Sequence, residues 1–199
     1  MELDLARQVG AEVVAVLAPA CEQIMVAGSV RRGKAQPKDI EIVYQPKRGR
    51  RPKDLFSEET YELTEPIIAE MLLDGVLRRD TEVVRWGPKY KRAIHVDSGA
   101  VIELFAATEE NWGYILALRT GPGEFNKIWV RSVIQGGALP LGMTLINGHV
   151  WDRRDHSHTK VIQTPTEESF FAVLGLPCWP PEERTPGRLI DYLAERRGK

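Results

Sequence analysis

Three acidic residues carry the strongest chemical signal in this chain: Asp39 and Glu41 in Asp39-Ile40-Glu41-Ile42-Val43, and Glu103 in Ala100-Val101-Ile102-Glu103-Leu104-Phe105. In a strand, residues two apart share a face, so Asp39 and Glu41 are expected to project together while Ile40 and Ile42 turn to a core. Two carboxylates side by side repel unless something positive lies between them. A divalent cation is the usual solution, and Mg²⁺ takes one or two carboxylates together with substrate phosphate oxygens. Glu103 stands alone in an apolar run behind a Ser98-Gly99 turn, where a charge must face water, a partner or a metal. Such a trio suits two-metal phosphoryl transfer, which needs ligands on both sides of the metal pair. Each piece alone also reads as a solvated acidic edge; their combination favours the metal.

What precedes the acids strengthens that reading. Gln23–Ala27 is apolar enough for a short buried strand, and it runs into Gly28-Ser29-Val30-Arg31-Arg32-Gly33-Lys34. Gly28 and Ser29 let a backbone turn sharply and bring N–H groups close to an anion. A helix starting there would add partial positive charge for phosphate. Arg31, Arg32 and Lys34 supply cations, and arginine grips phosphate through two parallel hydrogen bonds. A phosphate cradle about ten residues before an acidic pair is far more specific than either half.

The remaining chain must position these groups. With 199 residues, 43% of them hydrophobic, it can bury a substantial core. No apolar run approaches membrane-spanning length, and Glu2 and Asp4 do not suit a signal peptide. Cys21 and Cys178 imply no disulfide framework or zinc site and fit a reducing compartment. A formal net charge of −1 requires any nucleic-acid contact to come from local patches. One is Lys47–Lys53, with cations at Lys47, Arg48, Arg50, Arg51 and Lys53; Gly49 and Pro52 make it a loop, either solvated or touching a phosphate backbone.

Leu5, Val9, Val13 and Leu17 recur at helical spacing, so a helix is expected over Leu3–Leu17, ended by Pro19. A second is expected between Tyr61 and Leu77, starting near Pro66. Val83–Trp86 and Tyr90–Val96 read as strands joined at Gly87-Pro88, decorated by solvated Lys89, Lys91 and Arg92. Thr108–Asn111 has N-cap character ahead of a helix through Leu118, and Phe125, Trp129 and Val133 mark another that Gly136-Gly137 stops. Met143–Ile146, Asn147-Gly148 and His149–Trp151 form the clearest hairpin signal. Thr164, Pro165 and Glu167 read as a capping box, and Gly187–Arg197 as a terminal helix. His149, His156 and His158, near Asp152 and Asp155, match no standard metal spacing and are expected in a polar loop.

Gly28-Ser29, Arg31–Lys34, the Asp39/Glu41 pair and Glu103 resemble the palm of the nucleotidyltransferase superfamily. More narrowly they resemble family X DNA polymerases, the DNA polymerase beta and lambda group. Arg119-Thr120-Gly121-Pro122 with Phe125-Asn126-Lys127 is similar to that family's Thr-Gly approach to the thumb. Gly142–Leu145, Thr164–Glu167 with Leu174–Pro177, and Pro181–Arg184 resemble its later thumb motifs. The resemblance spans roughly Val26 to Arg184 and looks like the minimal palm-plus-thumb form known among viruses.

It implies an α+β fold: a palm with a mixed sheet and flanking helices, then a small helical and β-hairpin thumb. The expected division is 1–20 for an N-terminal helix packed on the palm, 21–112 for the palm and 113–199 for the thumb. The implied activity is transfer of a nucleotide from a nucleoside triphosphate to a DNA primer 3′-hydroxyl, as in short-gap filling during repair. Template-independent transfer and a catalytically weak DNA-end-binding module are the alternatives. Two Mg²⁺ ions are implied, with Mn²⁺ possible, on Asp39, Glu41 and Glu103. Gly28, Ser29, Arg32, Lys38, Thr120, Gly121 and Asn126 are the implied nucleotide contacts, and Lys127 and Arg131 the DNA contacts. The partners expected are primed or gapped DNA and a nucleoside triphosphate. A soluble intracellular monomer, cytoplasmic or virus-associated, is expected.

Four positions depart from the family pattern. Glutamate replaces aspartate at 41 and 103, which points to slower, Mn²⁺-preferring or absent activity. Leu118-Arg119 stands where an aromatic pair is usual, weakening discrimination against ribonucleotides. Lys38 replaces a glycine, and Val130 replaces a template-facing arginine, with Arg131 about 100° further round the helix.

Overall fold

The computed structural model describes residues 1–54, 56–82, 86–154 and 159–198. It divides into two compact units, Met1–Ala107 and Thr108–Lys199, so the division falls a few residues before the boundary expected from sequence. The class is α+β. No helix among the described residues is long and apolar enough to cross a membrane.

In the first unit, helix α1 (Leu3–Leu17) leads through a 3-10 turn at Ala18–Ala20 into strand β1 (Cys21–Val26). A single helical turn, α2 (Gly28–Arg31), and a loop follow before β2 (Ile40–Pro46). Then come β3 (Arg48–Pro52), β4 (Glu58–Glu62), α3 (Thr64–Leu73), β5 (Leu77–Arg79), β6 (Trp86–Gly87), β7 (Tyr90–His95) and β8 (Val101–Ala106). The main sheet runs β1-β2-β8-β7-β5, with β6 paired to β7. Of its pairings β2 with β8 is parallel and the others antiparallel.

Ala6, Val9, Val13 and Leu17 of α1 and Ile68 and Met71 of α3 pack in one core with Ile40, Ile42, Ile102, Leu104 and Ala93 of the sheet. Leu5 is exposed and Ala6 takes its place in the stripe. Gly10 lets α1 lie close to the sheet, since a Cβ there would come within 3.2 Å of Val26 and 3.3 Å of Ile40. Lys91, expected on a solvated face, is instead 2% exposed and donates to Glu65 Oε1 at 2.6 Å and to the Gly87 carbonyl. Its position between inward-facing neighbours forces burial, and a carboxylate from α3 makes that tolerable.

The basic stretch Lys47–Lys53 is also corrected: most of it is β3, an antiparallel partner of β4 rather than a loop. Arg51 donates to Glu59 at 2.6 Å and its guanidinium lies 5.1 Å from the Tyr61 ring centre. Gly49 leaves room for that ring, since a Cβ there would lie 2.9 Å from it. At the tip Asp54 accepts from the Phe56 N–H and the Ser57 hydroxyl, and Phe56 stands 98% exposed. Of the strand expected over Val83–Trp86, Trp86 opens β6, and Val83, Val84 and Arg85 lie outside the described residues.

In the second unit, α4 (Trp112–Thr120) and α5 (Gly123–Trp129) precede a 3-10 turn at Val133–Gln135, whose cap is Gly136 at φ 85°. Strands β9 (Met143–Ile146), β10 (His149–Asp152) and β11 (Lys160–Ile162) form a sheet in the order β11-β10-β9. Asn147 and Gly148 both have positive φ, 54° and 83°, as a tight two-residue hairpin requires. Helices α6 (Glu167–Leu174) and α7 (Pro186–Arg197) flank a 3-10 turn at Pro181–Glu183. The core is aromatic: Tyr114, Phe125, Trp129, Phe170, Phe171 and Trp179 cluster, with Trp129 and Phe170 edge to face at 5.2 Å.

The capping box of α6 is formed by Thr166 and Ser169, not by Thr164 and Glu167. Thr164 lies in extended chain that bonds to Glu110 and Gly113. Glu167 is 7% exposed and pairs at 2.5 Å with Arg184, itself 1% exposed. His149 and Asp152 lie in β10, with Asp152 bound by Arg154; Asp155, His156 and His158 are outside the described residues.

Candidate active site

Glu41 and Glu103 meet because of the parallel pairing in the main sheet. Glu41 of β2 lies in register with Glu103 of β8, and Glu103 with Arg92 of β7. Residues opposite one another on neighbouring strands share a face, so Glu41, Glu103 and Arg92 form a row across the sheet. Their neighbours Ile40 and Ile102 are buried among the helices, which fixes the row on the other side. Asp39 is half-buried at the mouth of β2. Its carboxyl is raised above the usual range, first by burial and then by the charge of Glu103, with Arg92 opposing.

Beside them, Gly28 has φ 62°, and a Cβ there would lie 2.1 Å from Glu41 Oε2. The glycine thus provides both a left-handed turn and direct approach of backbone to carboxylate. The Ala27 N–H donates to the Glu41 carbonyl at 2.7 Å, joining turn to strand. The Ser29 hydroxyl is buried without a hydrogen-bond partner, an arrangement that costs free energy unless a ligand completes it. Arg32 is half-buried and Lys38 exposed.

Sequence reasoning missed a network around Glu103. Tyr90 donates its hydroxyl to Glu103 Oε1 at 2.6 Å, and Arg92 Nη1 donates to the same oxygen at 2.9 Å. Arg92 Nε in turn donates to Asp80 Oδ2 at 2.7 Å. Arg92 is therefore held at both ends and is not the solvated decoration expected of it. The Tyr90 hydroxyl is pushed up, chiefly by burial and then by its bond to Glu103. The period-two alternation Tyr90, Arg92 was the available signal, since it puts both on one face.

Among the described residues no three acidic, histidine or cysteine side chains converge as a ready metal cage. The donor chemistry nonetheless fits Mg²⁺ or Mn²⁺: hard carboxylate oxygens on one sheet face, with an unpartnered hydroxyl and a glycine turn alongside. Glu41 and Glu103 already share that face.

The other expected contacts belong to the second unit. Asn126 Nδ2 donates to the carbonyls of Leu118 and Gly121, and its Oδ1 accepts from Trp129 Nε1. This amide ties the end of α4 to α5. Gly121 is needed there because a Cβ would lie 2.2 Å from Asn126 Oδ1. Thr120 is fully buried. Lys127 is exposed and bonds Glu124 at 2.7 Å; Arg131 is exposed.

Residues 115–185 match the family model of the DNA polymerase beta thumb. No curated protein matches the chain. The match covers most of the second unit and supports a relationship to polymerase beta-like proteins, with the DNA binding that a thumb implies.

Proposed function

We propose that this protein is a metal-dependent nucleotidyltransferase that adds a nucleotide from a nucleoside triphosphate to a DNA 3′-hydroxyl, as in short-gap DNA synthesis. The observation that carries the reading is the registration of Glu41 against Glu103 beside the Gly28-Ser29 turn. The thumb match in the other unit favours DNA over other acceptors.

Asp39, Glu41 and Glu103 would hold Mg²⁺, which when bound lowers the pKa of the attacking hydroxyl and stabilises charge on the leaving pyrophosphate. The Ser29 hydroxyl, buried and unpartnered, is a donor for a phosphate oxygen, and Gly28 lets the backbone approach it. Arg32 and Lys38 add positive charge on that side. Tyr90 and Arg92 fix the Glu103 carboxylate. Lys127 and Arg131 are exposed cations suited to DNA phosphates, with Lys127 exchanging Glu124 for its new partner. Asn126 would have to give up two carbonyl partners to touch a nucleotide, so its first role is to set the α4–α5 turn. The resemblance to family X DNA polymerases is what supports the proposed repair setting and the proposed monomeric working form.

Primer extension tests this directly, on one-nucleotide-gapped DNA, primed template and bare single strand, with Mg²⁺ and Mn²⁺ in separate reactions. Template-matched incorporation by the wild type, abolished in Asp39→Ala, is the expected result. Extension of the bare strand would move the activity to terminal transfer. DNA binding without incorporation under either metal would refute the proposal.

A further inference from the structure

Glu103 is one methylene longer than an aspartate, and its carboxylate is not left to find its own position. Both donors that reach it, the Tyr90 hydroxyl and Arg92 Nη1, land on Oε1. No described residue donates to Oε2. Tyr90 is itself held against Phe105, ring centres 5.0 Å apart, and Arg92 is anchored by the nearly buried Asp80. Asp80 is fixed in its turn by the Glu82 N–H at 3.1 Å. The chain of support runs from a loop after β5, through β7, to one oxygen on β8.

Two donors on one oxygen of a carboxylate fix its rotation and leave the other oxygen available. That is what a monodentate metal ligand needs, and outer partners of this kind typically change metal affinity or activity 10–100-fold when removed. We propose that Tyr90, Arg92 and Asp80 are positioning residues that hold Glu103 by Oε1 and so present Oε2 to a divalent cation. The network offsets the longer, looser glutamate side chain. The inference rests on the reading of Asp39, Glu41 and Glu103 as the cation site.

The test measures cation binding, not turnover. Mn²⁺ is titrated into the full-length protein, free ion being followed by electron paramagnetic resonance, for wild type, Tyr90→Phe, Asp80→Asn and Asp39→Ala. Tyr90→Phe keeps the ring packing and the charge, and Asp80→Asn acts on Glu103 only through Arg92. Arg92→Ala is a poorer probe, because deleting a positive charge beside the acids attracts a cation while freeing Glu103. The expected result is a Kd raised about 10-fold or more in Tyr90→Phe, raised also in Asp80→Asn, and binding lost in Asp39→Ala. Wild-type affinity in Tyr90→Phe, with binding lost in Asp39→Ala, would overturn the positioning role and leave the site intact. Absence of saturable binding in the wild type, or binding unchanged in Asp39→Ala, would overturn the site and the inference with it.

Discussion

Gly28 and Gly33 form a natural experiment. Both have left-handed backbone, φ 62° and 70°. At Gly33 an added Cβ meets nothing within 4 Å, whereas at Gly28 it would lie 2.1 Å from Glu41 Oε2 and 2.9 Å from that carboxyl carbon. Alanine at either site bears the left-handed penalty, about 1–2 kcal/mol. At roughly 2–4 °C per kcal/mol for a chain of this size, each variant should melt a few degrees lower. The clash at Gly28 falls on the end of a flexible side chain, so it is relieved by moving Glu41, not the backbone. Ordinary contact begins near 3.4 Å, so the carboxylate must shift by more than about 1 Å. Misplacement on that scale can cost on the order of 10²-fold in rate. The expected outcome is therefore similar destabilisation of Gly28→Ala and Gly33→Ala in urea, with incorporation and Mn²⁺ binding impaired selectively in Gly28→Ala. Equal function in the two variants would refute the claim that Gly28 exists to admit the Glu41 carboxylate.

Two further expectations concern charge. The raised carboxyl of Asp39 means that the folded chain retains this proton above the pH at which the unfolded chain loses it. Stability from this residue therefore falls as pH rises from about 3.8 through its folded value. Asp39→Asn should raise Tm at pH 7 while abolishing incorporation, and millimolar Mn²⁺ should raise Tm in the wild type but not in the variant; a lower Tm in the variant would contradict this. In the second unit, Arg184→Met strands the buried Glu167 carboxylate and also removes a guanidinium held by the Trp179 carbonyl and stacked on Phe171. Breaking such a pair costs about 3–5 kcal/mol, which urea unfolding followed by tryptophan fluorescence would read; a loss below about 1 kcal/mol would count against it.

What could be read from sequence was what local chemistry decides. Asn147-Gly148 announces its hairpin because both residues accept positive φ, and the structure has both there. The Gly28-Ser29 turn was legible because Gly28 accepts positive φ, and the strand bearing Glu41 because acidic and β-branched residues alternate there. Lys47–Lys53 was misread because what makes Arg48–Pro52 a strand is Glu58–Glu62 opposite it, above all Glu59 against Arg51. Lys91 looked solvated because its partner, Glu65, lies on a helix remote in sequence. Thr164 and Thr166 both offer a cap, and only burial of Thr164 in extended chain decides between them. Asp80 and Tyr90 escaped notice, and Arg92 was read as solvated, because none is chemically unusual until strand pairing puts Glu103 within reach.

The parallel pairing of β2 with β8 has a consequence for how the molecule assembles. Strands β7 and β8 can zip from a nearby turn, but β2 and β8 have no turn to nucleate them, and about half of the first unit's chain lies between. Loops that long close at an entropic cost before contacts reward them. The same closing step brings Glu41 up against Glu103, a carboxylate that Arg92 of β7 already holds. Refolding of this unit should therefore be limited by the β2–β8 pairing, and the row carrying Glu41 and Glu103 should be the last part of the sheet to form.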